Sequence, residues 1–514
     1  TNMNNNFYEI ASTRFPADRT ATFIETEDGI RYSFDALRTI SGRYARLLAS
    51  LGVVKGDRVA VQVEKSPEAV FLYLACLRAG AAYLPLNTAY TKAEIEYFLT
   101  DAEPRVFVCR PETEAALREV ADKAGVGTLL TLGTRGDGTL PERAAGLDPA
   151  FATVECGPDD LAAILYTSGT TGRSKGAMLT HRNLSSNALT LHEYWGFRPD
   201  DVLLHALPIF HTHGLFVAIN CTLLNGSAMI FLPKFDADTV FRLLPKATVM
   251  MGVPTFYTRL LADPRLTREA TAHMRLFVSG SAPLLADTHR EFQERTGHAI
   301  LERYGMTETC MNTSNPLNGD RVPGTVGFPL PEVSVRIVDP ETGTTLGPDE
   351  IGIIEVKGPN VFSGYWRMPE KTSQEIKPDG FFITGDVGKI DARGYVHIVG
   401  RAKDLIISGG FNVYPKEVET VIDAIDGVVE SSVVGVPHPD FGEAVVAVVL
   451  RKPGAVIDES AIICACKEQL ANYKVPKVVF FTNELPRNTM GKVQKNLLRD
   501  TQKDLFAKGT ASLS

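Results

Sequence analysis

Apolar residues keep two rhythms along this chain. Between residues 160 and 305, short apolar runs at 161–165, 202–207, 228–232, 248–253 and 275–278 read as buried strands. Between them lie stretches with apolar residues at helical spacing, 214–224, 238–246, 255–261 and 284–295, stopped by Asn225-Gly226 and Gly297. That alternation predicts βαβ units and a mostly parallel sheet covered on both faces. Ligands of such sheets bind at the carboxyl ends of the strands. Residues 7–160 are mixed in the same way, with a strand at 59–63, a largely buried helix at 68–78 before Gly80, and a helix at 92–100. The Gly/Thr/Arg mixture of 125–148 reads as a surface loop.

The rhythm changes after residue 330. Short β runs at 333–338, 353–357 and 395–399 predict a small antiparallel subdomain. Beyond it, Val418, Val421, Ile422 and Ile425 form one helical face. Strands at 429–436, 444–450 and 478–481 and a helix at 459–470 complete a small α+β unit. The expected fold is therefore α/β: a large domain, 1–400, of doubly wound βαβ subdomains plus a small β subdomain, then a linker, 401–404, and an α+β domain, 405–514.

Composition narrows the function. A chain of 514 residues holds two or three domains and a large core. Its net charge is −8 and no Lys/Arg run stands out, which argues against nucleic acid and anionic membrane as partners. The seven Cys are scattered, and Cys464 and Cys466 are too close together for the usual zinc pair. They read as reduced thiols of a cytoplasmic protein. No apolar run reaches the roughly 18 residues of a membrane span, and the polar start, Thr1 to Asn6, is not a signal peptide.

Against that background one stretch stands out: Tyr166-Thr167-Ser168-Gly169-Thr170-Thr171-Gly172-Arg173-Ser174-Lys175-Gly176. It follows the run at 161–165 and precedes Leu184, Ala188, Leu191 and Trp195, one face of a helix, so it reads as a strand–loop–helix connection. Gly lets successive N–H groups converge on an anion, the hydroxyls add donors, and Lys175 adds a compact charge. This is a phosphate-binding design without the Walker spacing.

The string resembles the phosphate loop of the adenylate-forming enzymes, which include acyl-CoA synthetases, luciferases and adenylation domains. Further motifs follow in that superfamily's order: Tyr304-Gly305-Met306-Thr307-Glu308, Thr384-Gly385-Asp386, Gly400-Arg401-Ala402-Lys403-Asp404, and Pro486-Arg487-Asn488-Thr489-Met490-Gly491-Lys492. The resemblance implies attack of a carboxylate on the α-phosphate of ATP, then displacement of AMP by a thiol. Both reactants of the first step are anions, so positive charge must be placed where they meet. By resemblance Lys492 is that catalytic group, and Lys175, with Thr167, Ser168, Gly169, Thr170, Thr171 and Gly172, holds the β- and γ-phosphates. Glu308 holds Mg²⁺, and Thr307 touches the α-phosphate. Asp386 accepts the ribose hydroxyls with Arg401 beside it, and Tyr304 faces adenine. The C-terminal domain is expected to be mobile, with Lys403 as its hinge. Ser408, Gly409 and Gly410 are expected to line the channel of the co-substrate coenzyme A. A lysine acetyltransferase and deacetylase acting on Lys492 are conceivable partners.

His211 and His213 lack a third metal ligand in sequence, and by resemblance begin the wall of the acyl pocket. Arg259, in the helix after Val253-Pro254, reads from local sequence either as a surface residue or as a pocket cation for a second carboxylate. The segments 207–214, 250–257, 278–284 and 304–309 resemble malonyl-CoA synthetases. That resemblance implies that Arg259 binds the distal carboxylate of malonate with Ser281 and His211, while Thr212 and Met306 limit space at the α-carbon. Methylmalonate or another short acid as substrate, and a free-standing loader of a carrier-protein thiol, stay open. A P-loop ATPase is disfavoured by the absent Walker spacing. A binding-only relative is disfavoured by the retention of Lys175, Glu308, Asp386 and Lys492.

Overall fold

The helix Pro67–Arg78 shows how the larger part of the chain is built. All twelve of its residues are buried, because sheets and helices close over every face. Ser66 caps it, accepting from the Ala69 N–H, and Pro67 occupies its first turn, where a missing N–H costs nothing. Full burial of each large apolar side chain contributes about 1.5–3 kcal/mol, so a helix with no polar face is stable only in such a setting.

The computed structural model describes residues 3–167 and 174–507. Ser168, Gly169, Thr170, Thr171 and Gly172 therefore lie outside the described residues. The chain divides into two compact units, one of residues 1–334 and 356–382, the other of 335–355 and 383–514.

Two sheets form the first unit. In the nine-stranded sheet, Thr22–Thr26, Ala228–Phe231, Val202–His205, Val249–Gly252, Leu276–Ser279 and Leu301–Met306 run parallel, side by side in that order. Cys310–Ser314 and Phe328–Pro329 extend one edge antiparallel, and Arg31–Ser33 the other. The seven-stranded sheet has Leu161–Tyr166, Ala82–Pro85, Arg58–Gln62, Val106–Cys109 and Thr128–Thr131 parallel. This is the doubly wound α/β architecture expected from the alternation.

Two expectations need correction. The phosphate loop does not lead straight into a helix. The flanking strand Leu161–Tyr166 pairs antiparallel with Gly176–Thr180, and the helix starts only at His181, capped by Thr180. Gly176 to Thr180 is a short strand buried between two partners, Leu161–Tyr166 and Gly364–Tyr365, so it shows no alternation in sequence. The supposed loop 125–148 contains the edge strand Thr128–Thr131 and the helix Thr139–Ala144. Only Leu129 and Leu130 mark that strand among polar neighbours.

The second unit holds a four-stranded sheet of Ser334–Val338, Gly352–Lys357, Phe382–Ile390 and Val396–Arg401, and a five-stranded sheet centred on Gly442–Arg451. Val418 and Ile422 of the helix Pro415–Asp423 pack with Ile406, Val433, Val445 and Ile462 in its core. The division groups most of the four-stranded sheet with the C-terminal residues, whereas the sequence reading groups those strands with the larger domain.

Candidate active site

In the first unit several polar residues lie at or just past the carboxyl ends of parallel strands. His205 ends one strand, Ser279 ends another with Gly280-Ser281 directly after it, and Arg303 lies within Leu301–Met306. The segment His211–Gly214 leaves the strand Val202–His205 and enters a π-helix, His213–Ile219. Gly214 is required there: a Cβ would lie 1.9 Å from the Pro208 carbonyl oxygen.

The cluster is polar, buried and short of partners. Thr212 Oγ1, Ser279 Oγ, Arg303 Nε and the Nε2 atoms of His211 and His213 are buried without a hydrogen-bond partner. Ser281 Oγ lies 3.5 Å from His213 Nδ1 and 3.5 Å from Arg303 Nη2. Ser281 itself sits at φ +74°, a left-handed backbone that aims its hydroxyl at this group. Burial drives the His211 pKa down to about 4 and that of His213 well below the ordinary range, so both rings are neutral near pH 7. Burial also pulls the Arg303 guanidinium down to about 9, and no carboxylate among the described residues is paired with it. Lys65 donates to His205 Nδ1 at 2.8 Å, and His205 Nε2 lies 2.8 Å from the Gly214 carbonyl oxygen. A desolvated cation without a counter-ion is costly, so this arrangement favours an anionic ligand.

Arg259 is not part of that cluster. In the helix Pro254–Leu261, Phe256, Tyr257 and Leu260 take the buried face, which turns Arg259 outward. It is exposed, with its guanidinium 4.6 Å from the ring centroid of Phe235. The buried arginine beside Ser281 is instead Arg303, which the sequence reading did not single out; it lies four residues before the half-buried Thr307 and three before Met306.

The phosphate-loop region begins with another orphan, Thr167 Oγ1, buried without a partner. The Thr167 N–H donates to the Lys175 carbonyl at 2.9 Å, which fixes the base of the loop. Lys175 Nζ lies 3.6 Å from Glu375 Oε1 and 4.7 Å from the centroid of the Tyr365 ring. The Tyr365 hydroxyl lies 2.8 Å from Glu308 Oε2 and 2.6 Å from Glu375 Oε2. Glu308 is buried and Tyr304 nearly so. Among the described residues no three His, Cys, Asp or Glu gather to cage a metal. Glu308 does offer the hard oxygen donor that Mg²⁺ takes together with phosphate oxygens and water, so the residues fit such an ion.

The second unit brings Asp386, Arg401, Lys403 and Lys492 together. Asp386 lies in the strand Phe382–Ile390, opposite Arg401 in Val396–Arg401, and accepts from Arg401 Nη1 at 2.5 Å. Thr384 Oγ1 accepts the Asp386 N–H at 3.0 Å and donates to the Ile354 carbonyl at 2.7 Å, which fixes the buried carboxylate in place. Lys492 titrates below the ordinary lysine range: desolvation is the main cause, Asp386 opposes it and Arg401 adds to it. Lys403 is lowered likewise, by desolvation and then by Arg401 and Lys492, against Asp404. Asn488 shapes the turn that carries the lysine, its Oδ1 accepting from the N–H groups of Met490 and Lys492 at 3.0 Å each.

The sequence pattern of the AMP-binding enzyme family matches residues 8–366, and that of the AMP-binding enzyme C-terminal domain matches residues 417–492. The chain belongs to the AMP-binding enzyme family. Crystalline ATP-bound MatB from Rhodopseudomonas palustris is 63% identical, with a TM-score of 0.96 over 98% of this chain and 100% of that one. The malonate–CoA ligase of Arabidopsis thaliana is 34% identical over 494 residues, 90% of this chain and 80% of that protein. The sulfoacetate–CoA ligase of Cupriavidus necator is 34% identical over 476 residues, 92% and 93% of the two chains.

Two groups of this AMP-binding enzyme, Arg303 and Glu375, escape a sequence reading. Arg303 directly precedes Tyr304, and an arginine inside the buried strand Leu301–Met306 was the available signal. Glu375 ends a helix, Pro369–Glu375, with no buried residue, and nothing in sequence ties it to Lys175. Ser408, Gly409 and Gly410 form the tip of the hairpin Ile406–Ser408/Phe411–Val413. There Phe411 stacks on Tyr473 at 4.7 Å, and Phe441 stacks on His438 at 4.5 Å. No helix is long and apolar enough to cross a membrane among the described residues.

Proposed function

We propose that this AMP-binding enzyme ligates malonate to coenzyme A, consuming ATP and releasing AMP and pyrophosphate. Buried Arg303, without a carboxylate partner and beside Ser281 and His213, carries the reading. A monoacid would leave that charge uncompensated in a desolvated site. A diacid supplies the missing carboxylate to a guanidinium that can bind it with two parallel N–H groups. Neutral His211 and His213 add donors without adding repulsion or cost of charge. Malonate and sulfoacetate, named in two relatives, share a second anion close to the reacting carboxylate, which supports the same reading.

In this reading one malonate carboxylate attacks the α-phosphate of ATP. A P–O bond to the acid forms as the bond to pyrophosphate breaks. Lys492 neutralises the two meeting anions. Lys175 and Thr167 bind the departing phosphates, and Thr307 contacts the α-phosphate. Glu308 would hold Mg²⁺, which when bound neutralises phosphate charge. Asp386 binds the ribose hydroxyls with Arg401 beside it, and Tyr304 offers its ring to adenine. The coenzyme A thiol then adds to the acyl carbonyl, and AMP leaves. Phe411, Tyr473 and Phe441 at the Gly409-Gly410 hairpin, with Lys474 and Lys477 over aromatic rings, suit stacking and charge contacts with that co-substrate. The two steps need different surroundings for one carbonyl, and the linker 401–404, with Lys403, is the proposed hinge between a domain 1–400 and a domain 405–514. Thr212 and Met306 restrict the α-carbon, where the methyl of methylmalonate costs a few kcal/mol in a tight pocket. Acetylation of Lys492 would remove its charge and stop the first step; a lysine acetyltransferase and deacetylase are the partners this implies, in the cytoplasm.

The test is acid-dependent AMP formation with coenzyme A across acetate, butyrate, malonate, methylmalonate and succinate. Malonate is expected to give the highest kcat/KM. Preference for a monoacid would overturn the diacid reading, and strict dependence on a carrier-protein thiol would overturn the role of coenzyme A.

A further inference from the structure

Glu375 lies where the mechanism above leaves no role for it. One of its oxygens, Oε1, lies 3.6 Å from Lys175 Nζ and 3.2 Å from Lys371 Nζ. The other, Oε2, accepts from the Tyr365 hydroxyl at 2.6 Å, and that hydroxyl also lies 2.8 Å from Glu308 Oε2. The placement is built rather than incidental. Tyr365 sits in a strand paired with Gly176–Thr180, directly opposite Ala177, two residues beyond Lys175. The Thr372 hydroxyl accepts the Tyr365 N–H at 2.9 Å, which ties the helix Pro369–Glu375 to that strand. The Trp366 N–H donates to the Gly176 carbonyl at 2.7 Å, holding the same segment against the end of the phosphate loop.

We propose that Glu375 is a positioning residue for the nucleotide: it holds Lys175 before ATP binds and yields it to the incoming polyphosphate. The inference rests on the reading of Lys175 as a polyphosphate ligand. Lys175 is a compact cation whose side chain is only 21% exposed, with the Tyr365 ring beneath it. Its counter-ion in this structure is Glu375. Polyphosphate oxygens that reach Lys175 bring several negative charges close to the Glu375 carboxylate. Either the lysine turns away from Glu375 or two like charges share one cation; both weaken binding. Glu375 thereby lowers affinity for ATP and for pyrophosphate alike, and eases departure of the latter. Its bond to Tyr365, shared with Glu308, also keeps the carboxylate from following the lysine. A tyrosine hydroxyl has one proton, so it can donate to Glu308 or to Glu375 but not to both at once. Withdrawal of Lys175 leaves Glu375 dependent on Tyr365 and Lys371.

Calorimetric titration of the full chain with ATP and with pyrophosphate, without acid substrate, tests this. Glu375→Gln should tighten both by about three- to tenfold, roughly 0.7–1.4 kcal/mol. Lys175→Ala should weaken both, and adding Glu375→Gln to Lys175→Ala should then change little. Unchanged or weaker binding by Glu375→Gln overturns the proposal, as does an equal gain in the Lys175→Ala background. If Lys175→Ala leaves pyrophosphate binding intact, the reading of Lys175 itself fails, and that outcome is distinct. Glu375→Asp keeps the charge but withdraws it from Lys175, and should give an intermediate gain if Glu375→Gln does not fold.

Discussion

The guanidinium of Arg303 lies against the backbone of Gly280: a Cβ added at Gly280 would sit 2.0 Å from Arg303 Cζ. Real contacts of that kind do not occur, so the absence of a side chain at 280 is what lets Arg303 occupy its position. Gly280 joins Ser279, at the end of its strand, to Ser281. Gly280→Ala should therefore displace Arg303 without touching Lys175, Glu308 or Lys492. The expected result is a loss of malonate kcat/KM of about a hundredfold or more, the size of an unpaired buried carboxylate or cation. ATP binding by calorimetry should change little. A variant that retains malonate turnover places the second carboxylate elsewhere.

Arg303 and the exposed Arg259 make opposite predictions. Arg303→Met removes the buried charge while keeping volume. Malonate kcat/KM should fall by several kcal/mol, while butyrate turnover persists or rises. Arg259→Leu removes a surface guanidinium over Phe235 and should shift the malonate/butyrate ratio by less than about fivefold, as for an exposed charge. The ratio, measured in both variants, decides. A large shift in Arg259→Leu with none in Arg303→Met would restore the assignment made from resemblance.

What the sequence revealed and what it hid have a common physical basis. The parallel strands Val202–His205, Val249–Gly252 and Leu276–Ser279 were readable because both faces are buried, which leaves uninterrupted apolar runs. The hairpin strand Gly176–Thr180 was not, since it is a five-residue segment between a glycine-rich loop and a helix cap. Asp386 was found through its motif, but Thr384-Gly385-Asp386 alone does not announce the nine-residue strand Phe382–Ile390 that fixes it opposite Arg401. Charge partners were the least legible feature. Lys175 and Glu375 are far apart in sequence, and their pairing depends on a strand, Gly364–Tyr365, of only two residues. For Arg259, one step of helical phase separates a pocket residue from a surface one, and local sequence does not fix that phase against the neighbouring sheet.

Lys492 and Asn488 should act as a pair. Lys492→Ala should lower malonate-dependent ATP–pyrophosphate exchange by about a thousandfold or more, whereas thioester formation from pre-made malonyl-adenylate should survive much better. Asn488→Ala removes the acceptor of the Met490 and Lys492 N–H groups. It should reduce exchange by roughly ten- to a hundredfold, through misplacement rather than loss of the ammonium. If the double variant is no worse than Lys492→Ala alone, Asn488 acts through the lysine. Equal losses in both half-reactions would contradict the assignment of Lys492 to the first step.

Asp423 gives the second unit a pH-dependent stability of defined sign. Its carboxylate accepts from the Ser431 N–H at 2.7 Å and from the Ser431 hydroxyl at 2.8 Å, while burial, aided by Glu419, raises its pKa to about 7 against the opposing effects of Ser431 and Lys416. Lys495 also lies against Glu419, at 2.5 Å, so it faces the same group of charges. In the unfolded chain this carboxyl titrates near the ordinary aspartate value of 3.8. Between these two values the folded protein holds a proton that the unfolded chain has released. Stability therefore falls as pH rises through that window, and the loss is complete above the folded pKa. Asp423→Asn keeps an acceptor for both Ser431 donors and never ionises, so it should remove this slope. Urea unfolding of the full chain, parent against variant, should show near-equal stability at about pH 4 and a variant more stable by up to roughly 4 kcal/mol at about pH 8. A difference that does not grow with pH would mean that Asp423 ionises in place at little cost, through Ser431 and Lys416.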